Sequence, residues 1–540
     1  MQRKPASPFR LVLAAALLAG AAPSAAQEAR LRGDLVAGSE VEEYLRFLQT
    51  TGEVAPGPWS LRGFGRAEAD RLLPPPSGHP WADHPGLRHD SSGAVVVALP
   101  VRTRAWYNSA FPFAANDGAV WAGRGATVAA EAGVAVRAGP LSLALRPVAF
   151  VAENRGFELR GNARDGELVF ADGLRPDVID LPQRFGPDRY ARVDPGESYL
   201  RLDAGPVAVG VSTATQVWGP GSEYPILLAS AGPGFLHAFA GTSRPVDLWV
   251  ARVHGRVVYG RLEQSAYSPV REGSARHRFM SGLVGVVQPR GMPGLELGAA
   301  RFFHTPWPED GLSAADFRTP FQGLLKRSLE LDPEGNPADD RSNQLATFFF
   351  RWATARAGAE VYGEYFREDH NFDLRDLLLE PDHSAAYMLG IRRAWRPSPE
   401  RMVTLRAEAM NARLSHLARV RTQSPKMIHT GTLQGHTQLG QPLGGRAVYG
   451  GAGTIVALDL YHPGGRWTAS WTREQRGAPD QTHPEGDVWM ADALGAESLF
   501  LAGRVGIRAG VTGALERNRY LETGRDEFNL NAQLGLEWTP

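Results

Sequence analysis

From about Ala94 onward the chain alternates apolar and polar residues with a period of two. Val128, Ala130, Ala132, Val134 and Val136 fall on one face, with Thr127, Glu131, Gly133 and Arg137 on the other. The next stretch places Leu141, Leu143, Leu145, Ala149 and Val151 together, opposite Ser142 and Arg146. Val207, Val209 and Val211 alternate with Ala208, Gly210 and Ser212, and Val505, Ile507, Ala509 and Val511 with Arg504, Gly506, Arg508 and Gly510. Such stripes predict β-strands, and charged residues on the second face suit a polar lumen better than the dry core of a sandwich.

The connections sharpen this. Tight links rich in Gly and Pro are expected at 137–140, 203–206, His254-Gly255, 289–294, 355–358, 396–400, 462–465 and 502–504. Long polar connections alternate with them: 107–123, 154–196, 218–244, 268–277, 304–343, 369–383, 413–446, 476–492 and 517–526. Strict short–long alternation is the pattern of a transmembrane antiparallel β-barrel with periplasmic turns and outside loops, here of about 18 strands. In the last strand Phe528, Leu530, Ala532, Leu534, Leu536 and Trp538 share a face, with Asn529, Asn531, Gln533 and Glu537 opposite. A final strand ending in a lipid-facing aromatic resembles the signal read by the barrel assembly machinery, although Thr539-Pro540 extends beyond it.

The first residues differ. Arg3, Lys4 and Arg10 precede the apolar run Leu11 to Ala22, and Ser24-Ala25-Ala26 offers small residues before Gln27. This is the layout of a secretory signal peptide over 1–26, with an apolar run too short to span a bilayer. Ser39-Glu40-Val41-Glu42 reads as a capping box ahead of Tyr44, Leu45, Phe47 and Leu48 at helical spacing. Arg66 to Leu73 reads as a second short helix ended by Pro74-Pro75-Pro76. The expected organisation is a signal peptide, a helical segment over 27–90 in the periplasm or against the lumen mouth, and a barrel over 91–540 in the outer membrane.

Composition narrows the function. The 540 residues carry 58 basic and 58 acidic side chains, which argues against a nucleic-acid partner. Zero cysteines exclude disulfides, thiolate metal sites, cysteine nucleophiles and a lipoprotein anchor. No nucleophile elbow, phosphate-binding loop, zinc-protease or EF-hand motif occurs, and His416, His429 and His436 lack metal-ligand spacing. The acidic stretch 330–340 reads as a solvated turn rather than a calcium loop. No enzyme, cofactor or metal is expected.

Two segments carry a resemblance. Gln216-Val217-Trp218-Gly219-Pro220-Gly221-Ser222 with Ile226-Leu227-Leu228-Ala229-Ser230 and Gly241-Thr242-Ser243-Arg244-Pro245, and then Gly435-His436-Thr437-Gln438-Leu439-Gly440-Gln441-Pro442-Leu443-Gly444, resemble the capsule-assembly Wzi family. The segment Glu43 to Leu73 looks like that family's pre-barrel helices. The resemblance implies an outer-membrane barrel of about 18 strands that binds and anchors exported capsular polysaccharide at the cell surface, lectin-like and without catalytic residues. Both segments are expected in outside loops, where Trp218 and Trp307 would stack on sugars and Glu223, Arg244, His436 and Gln438 would bond hydroxyls or carboxylates. For each, the plainer alternative is structural: Trp218 in a rigid turn or aromatic girdle, Gly435 and Gly440 letting a loop fold into the lumen. The alternative function is a porin-like channel for oligosaccharides or small solutes. Membrane lipid and surface polysaccharide are the expected partners, and the barrel is expected to be a monomer.

Overall fold

The computed structural model describes residues 35–540, apart from 64, 70, 73, 76, 88–94, 114–115, 274–275, 324–341, 369–372, 420–422, 430–431 and 481–482. The signal-peptide reading of 1–26 and the acidic stretch 330–340 lie outside the described residues. The rest is all-β, with 25 strand segments, of which 23 join one antiparallel sheet. The last strand, Glu527–Trp538, pairs with Val505–Arg517 on one side and with Val101–Asn108 on the other. Val101–Asn108 in turn pairs with Gly125–Glu131.

The segments outnumber the expected strands for a local reason. Val95–Ala98 and Val101–Asn108 are one stave interrupted at Leu99-Pro100. The staves through Gly125–Ala138, Leu141–Ala152 and Tyr190–Ala204 break at Gly133, Arg146-Pro147 and Pro195-Gly196. Proline cannot donate to the ladder, so the pairing stops and resumes on either side of it. Three further segments, Val246–Asp247, Thr437–Gln438 and Gln441–Pro442, have only two residues each.

The predicted stripes face as their chemistry demands. Val128, Leu141, Leu145, Val151, Val209, Val211, Ile507, Val511, Leu534 and Leu536 are exposed on the outside, whereas Thr127, Arg137, Ser142, Arg146, Asn529 and Asn531 are buried inside. Near the short turns, Trp352, Trp395, Trp467 and Trp538 point outward, and near the long loops Tyr107, Tyr387 and Phe528 do. Ten residues separate Phe528 from Trp538. At about 3.3 Å per residue and a tilt of about 40° they span about 25 Å, the height of a barrel's apolar band between its aromatic girdles.

One predicted turn is corrected. His254-Gly255 lies inside the strand Ala251–Glu263, where Gly255 sits opposite Gly285. The turn comes earlier, at 243–250, because His254 faces inward and its Nε2 meets Glu68 Oε1 at 3.0 Å. Ser243 N donates to Pro206 O at 2.8 Å, which places Arg244 at the short-turn end. The long connection expected over 218–244 is therefore confined to 213–235.

The helical segment lies inside the lumen at the short-turn end. Helix α1, Glu40–Thr51, is capped by Ser39 Oγ, which accepts from Glu42 N at 3.3 Å, and ends at Gly52 in the left-handed conformation. The Glu42 carboxylate reaches Gly38 N at 2.5 Å rather than the cap residue's own N–H. The second helix is shorter than expected, Arg66–Ala69, because Arg71 N and Leu72 N bond three residues back and end it in turns. Tyr44 stacks on Trp81 at 4.3 Å and Phe47 on Tyr461 at 4.8 Å, and Trp81 Nε1 donates to Gly465 O at 3.1 Å.

Charge fastens this segment to the wall. Arg46 Nε donates to Glu360 Oε1 at 2.9 Å. Arg351 bridges Glu360 Oε2 at 3.1 Å, Glu296 Oε1 at 2.6 Å and Gln49 Oε1 at 2.9 Å. Glu296 Oε2 accepts from Trp59 N, Ser60 N and Ser60 Oγ at 2.8–3.0 Å. All four charged side chains are essentially inaccessible to water. Breaking such a pair strands a buried charge at a cost of about 3–5 kcal/mol. Glu360→Gln should therefore release the helical segment to protease while leaving the strand circular-dichroism signal intact; equal protection of variant and native segments would remove this network as the anchor.

Burial also lifts the Glu42 carboxyl from its usual 4.5 to about 7, partly offset by Arg62. The docked segment then holds one more proton than the undocked one between those values, so docking weakens as pH rises from about 4.5 to about 7. Native protection from protease should fall across that window, and Glu42→Gln should flatten the profile.

Candidate functional site

The loop 213–235 carries an apolar run, Ile226-Leu227-Leu228-Ala229, that water would not tolerate exposed. It folds down into the lumen, and all four residues are buried. Its backbone N–H groups, which need partners away from water, find two inward-pointing wall carboxylates. Ser222 N and Glu223 N donate to Glu408 at 2.9 and 3.1 Å, and Ile226 N to Glu364 at 3.1 Å. The tip meets the helical segment, where Arg46 Nη2 donates to Pro220 O at 2.7 Å and Gly219 N to Ser60 O at 2.8 Å. Trp218 lies fully buried in the resulting core, edge-on to Phe302 at 6.5 Å.

The second signature segment enters beside it as a small hairpin, Thr437–Gln438 against Gln441–Pro442. His436 Nε2 donates to Leu227 O at 2.6 Å, and Ala229 N to Leu443 O at 2.7 Å. Burial pushes His436 down to about 3, so its ring stays neutral. Arg278 Nη2 donates to Thr437 O at 2.6 Å, and Gln438 Oε1 accepts from Glu263 N at 2.7 Å. Gly435 and Gly440 have φ of 64° and 73°, and a Cβ would stand 2.6 Å from Ile179 and 2.9 Å from Pro182. Here the structural alternative for both glycines holds: they let the loop pack inside the barrel.

The six candidate residues are thus dispersed. Trp218, His436 and Gln438 are buried in the plug, with no ring face or polar edge open to a sugar in this arrangement. Glu223 lies in the lumen, paired with Arg406 at 2.6 Å. Arg244 is exposed, but at the opposite end from the long loops. Trp307 is half-buried at the long-loop end, edge-on to Phe279 at 6.2 Å.

The described residues line two sizeable cavities. One, of about 550 Å³, runs along the lumen beside the plug between the walls around Arg102, Arg508, Glu497 and Glu537. The other, of about 500 Å³, is a cleft at the long-loop end lined by Asn411, Arg413, Tyr449, Gln475, Arg175 and Asp480. Arg413 Nε donates to Asn411 Oδ1 at 3.0 Å and its Nη1 to Gln475 Oε1 at 3.3 Å, while Arg175 pairs with Asp480. Tyr449 supports the floor by donating to His436 O at 2.5 Å, which ties the cleft to the hairpin beneath. Guanidinium and amide groups beside an aromatic ring match the hydroxyls and carboxylates of sugars. The sequence reading missed this cleft, because its residues come from separate loops and strand ends and share no motif. Among the described residues no group of three His, Asp or Glu side chains could hold a metal ion.

No protein-family model matches the chain, and no curated protein does. Among solved structures it is similar to Wzi, an outer membrane protein involved in group 1 capsule assembly in Escherichia coli and described as a carbohydrate-binding β-barrel. The TM-score is 0.61 at 14% identity, over 94% of this chain and 99% of that one. OccK5 (OpdH) of Pseudomonas aeruginosa aligns at a TM-score of 0.39 and 9% identity, over 83% and 98%. OccK1 (OpdK) of the same organism aligns at 0.40 and 10%, over 82% and 98%. The fold is that of an outer-membrane β-barrel, and among the described residues no helix is long and apolar enough to cross a membrane.

The packing around Gly440 yields a direct test of the plug. Gly440→Val combines a strained φ with a collision at Pro182 and should displace the hairpin. Planar-bilayer conductance of this variant should exceed that of the native protein several-fold; equal conductance would show that the hairpin does not obstruct the lumen.

Proposed function

We propose that this protein holds exported polysaccharide on the cell surface, as a non-enzymatic outer-membrane anchor whose binding site is the cleft of Asn411, Arg413, Tyr449 and Gln475. The observation that carries this reading is the plug. Two long loops and the helical segment are fastened into the lumen by buried charges, and the polar cleft opens above them on the long-loop side. A barrel filled in this way presents a fixed outer surface, and fixed donors recognise a ligand without a large ordering cost. The fold shared with a carbohydrate-binding barrel supports the reading. In it, His436 holds Tyr449 at the cleft floor, and Trp218 and Gln438 pack the plug beneath, rather than touching sugar. The single chain is sufficient for the site, in keeping with a monomer, and the final strand serves recognition by the assembly machinery.

A second reading, a channel for oligosaccharides or small solutes, is favoured by the luminal cavity beside the plug. Cell-bound and released polysaccharide distinguish the two. Loss of the protein should shift polysaccharide into the medium at unchanged total synthesis, and Arg413→Ala with Gln475→Ala should reproduce much of that shift at native membrane levels. An unchanged bound fraction without the protein would overturn the anchor role. A normal bound fraction in the double variant alone would move the site away from the cleft.

A further inference from the structure

Not every long loop folds inward. Arg301 sits on the outward stripe of Leu295–Pro306, level with Ala346, which is level with the equally outward Arg367. Two guanidiniums therefore flank one position on the lipid-facing wall, where an unpaired charge costs about 2–4 kcal/mol at the bilayer midplane and less near its edge. Each is capped by a loop that turns outward over the wall. Arg301 Nη1 donates to Gln322 O at 2.6 Å and Pro320 O at 3.2 Å, and its Nη2 to Gly323 O at 3.2 Å. Arg367 Nη1 donates to Glu380 O and Pro381 O, both at 3.1 Å.

Outward tyrosines fasten the same loops. Tyr259 donates to Phe317 O at 2.7 Å, and Tyr365 and Tyr387 to Pro381 O at 2.7 and 3.3 Å. Phe279, Phe303 and Ala346 lie on outward stripes yet are only 5%, 1% and 5% exposed, because loop 307–323 covers that part of the wall. The far sides of the loops are apolar and open: Phe317, Phe321, Leu374, Leu378 and Leu379 are exposed, Leu378 at 71%. The last three belong to a short helix, Leu374–Leu379.

Height settles which medium they meet. Phe303 lies eight residues above Leu295, which pairs with the lower-girdle Trp352. Eight residues of tilted strand climb about 20 Å, inside the roughly 25 Å apolar band. The loop residues packed against Phe303 and Arg301 stand at the same height, where the acyl chains of the outer leaflet give way to headgroups. Exposed Arg318 and Arg375 alternate with the apolar side chains, as in segments that lie in a membrane interface beside anionic headgroups.

We propose that loops 307–323 and 373–384 form a lip embedded in the outer leaflet, with Phe317, Phe321, Leu374, Leu378 and Leu379 among the acyl chains. The lip holds one sector of the rim at a fixed depth, in continuity with the lipid-facing wall below it. This inference needs only the barrel's place in the membrane and is independent of the polysaccharide role.

The chain has no cysteine, so single-cysteine labelling is clean. Leu378→Cys and Phe321→Cys, each carrying an environment-sensitive nitrobenzoxadiazole probe, would be compared with Asp310→Cys on the exposed part of the same loop. The full-length barrels are reconstituted in phosphatidylcholine vesicles with plain or shallowly brominated chains. The expected result is blue-shifted emission and several-fold bromine quenching at 378 and 321, with water-like, unquenched emission at 310. Water-like emission at 378 and 321 would overturn the lip. Blue-shifted emission without bromine quenching would overturn it too, since protein rather than lipid would then cover the face.

Discussion

The arrangement depends on a set of charges that have no access to water. Arg46 from the helical segment and Arg351 from the wall share Glu360, and Arg351 reaches on to Glu296, which holds the backbone at Trp59 and Ser60. Such a cluster adds little net stability over an apolar core of the same shape, because desolvation consumes most of the attraction. It adds specificity. An apolar helix could slide or rotate in a greasy lumen, whereas Arg46 can be satisfied only where Glu360, Pro220 O and Ser222 converge. The node therefore fixes the helix, the wall and the inward loop relative to one another.

From that node the order spreads upward. Pro220 belongs to loop 213–235, whose backbone N–H groups are taken by Glu364 and Glu408. Leu227 and Ala229 of that loop bond the second hairpin, and His436 of the hairpin supports Tyr449 in the outer cleft. A continuous chain of buried bonds thus runs from the short-turn end of the lumen to the opposite mouth. Each link uses a group that would be costly to leave unpaired, so the cleft inherits rigidity from residues far below it.

The fold was legible because its strongest signal is local. Period-two stripes separate lipid from lumen one residue at a time, and Leu534, Leu536 and Asn531 face as their polarity requires. Direction within the loops was not legible, because a loop's destination depends on distant partners. Ile226-Leu227-Leu228-Ala229 was the available clue, since an apolar run inside a polar connection must be buried somewhere. His254-Gly255 misled because glycine usually marks a turn, whereas here it sits opposite Gly285 in mid-strand. Arg244 was assigned to the wrong end for the same reason. The cleft left no linear trace, as Asn411, Gln475 and Asp480 meet only once the sheet curves.

The loops sort by which face of the wall offers them partners. Inside, the wall presents carboxylates at Glu364 and Glu408, which call for donors, and the incoming loop supplies bare backbone N–H groups. Outside, at the outer rim, it presents guanidiniums at Arg301 and Arg367, which call for acceptors, and the outward loops supply carbonyls. Each loop is thus held by wall groups that suit what it brings, Glu364 and Glu408 for bare N–H groups, and Arg278, Arg301 and Arg367 for carbonyls. One plain barrel thereby acquires a filled interior and, over one sector of its wall, outward loops with exposed apolar side chains.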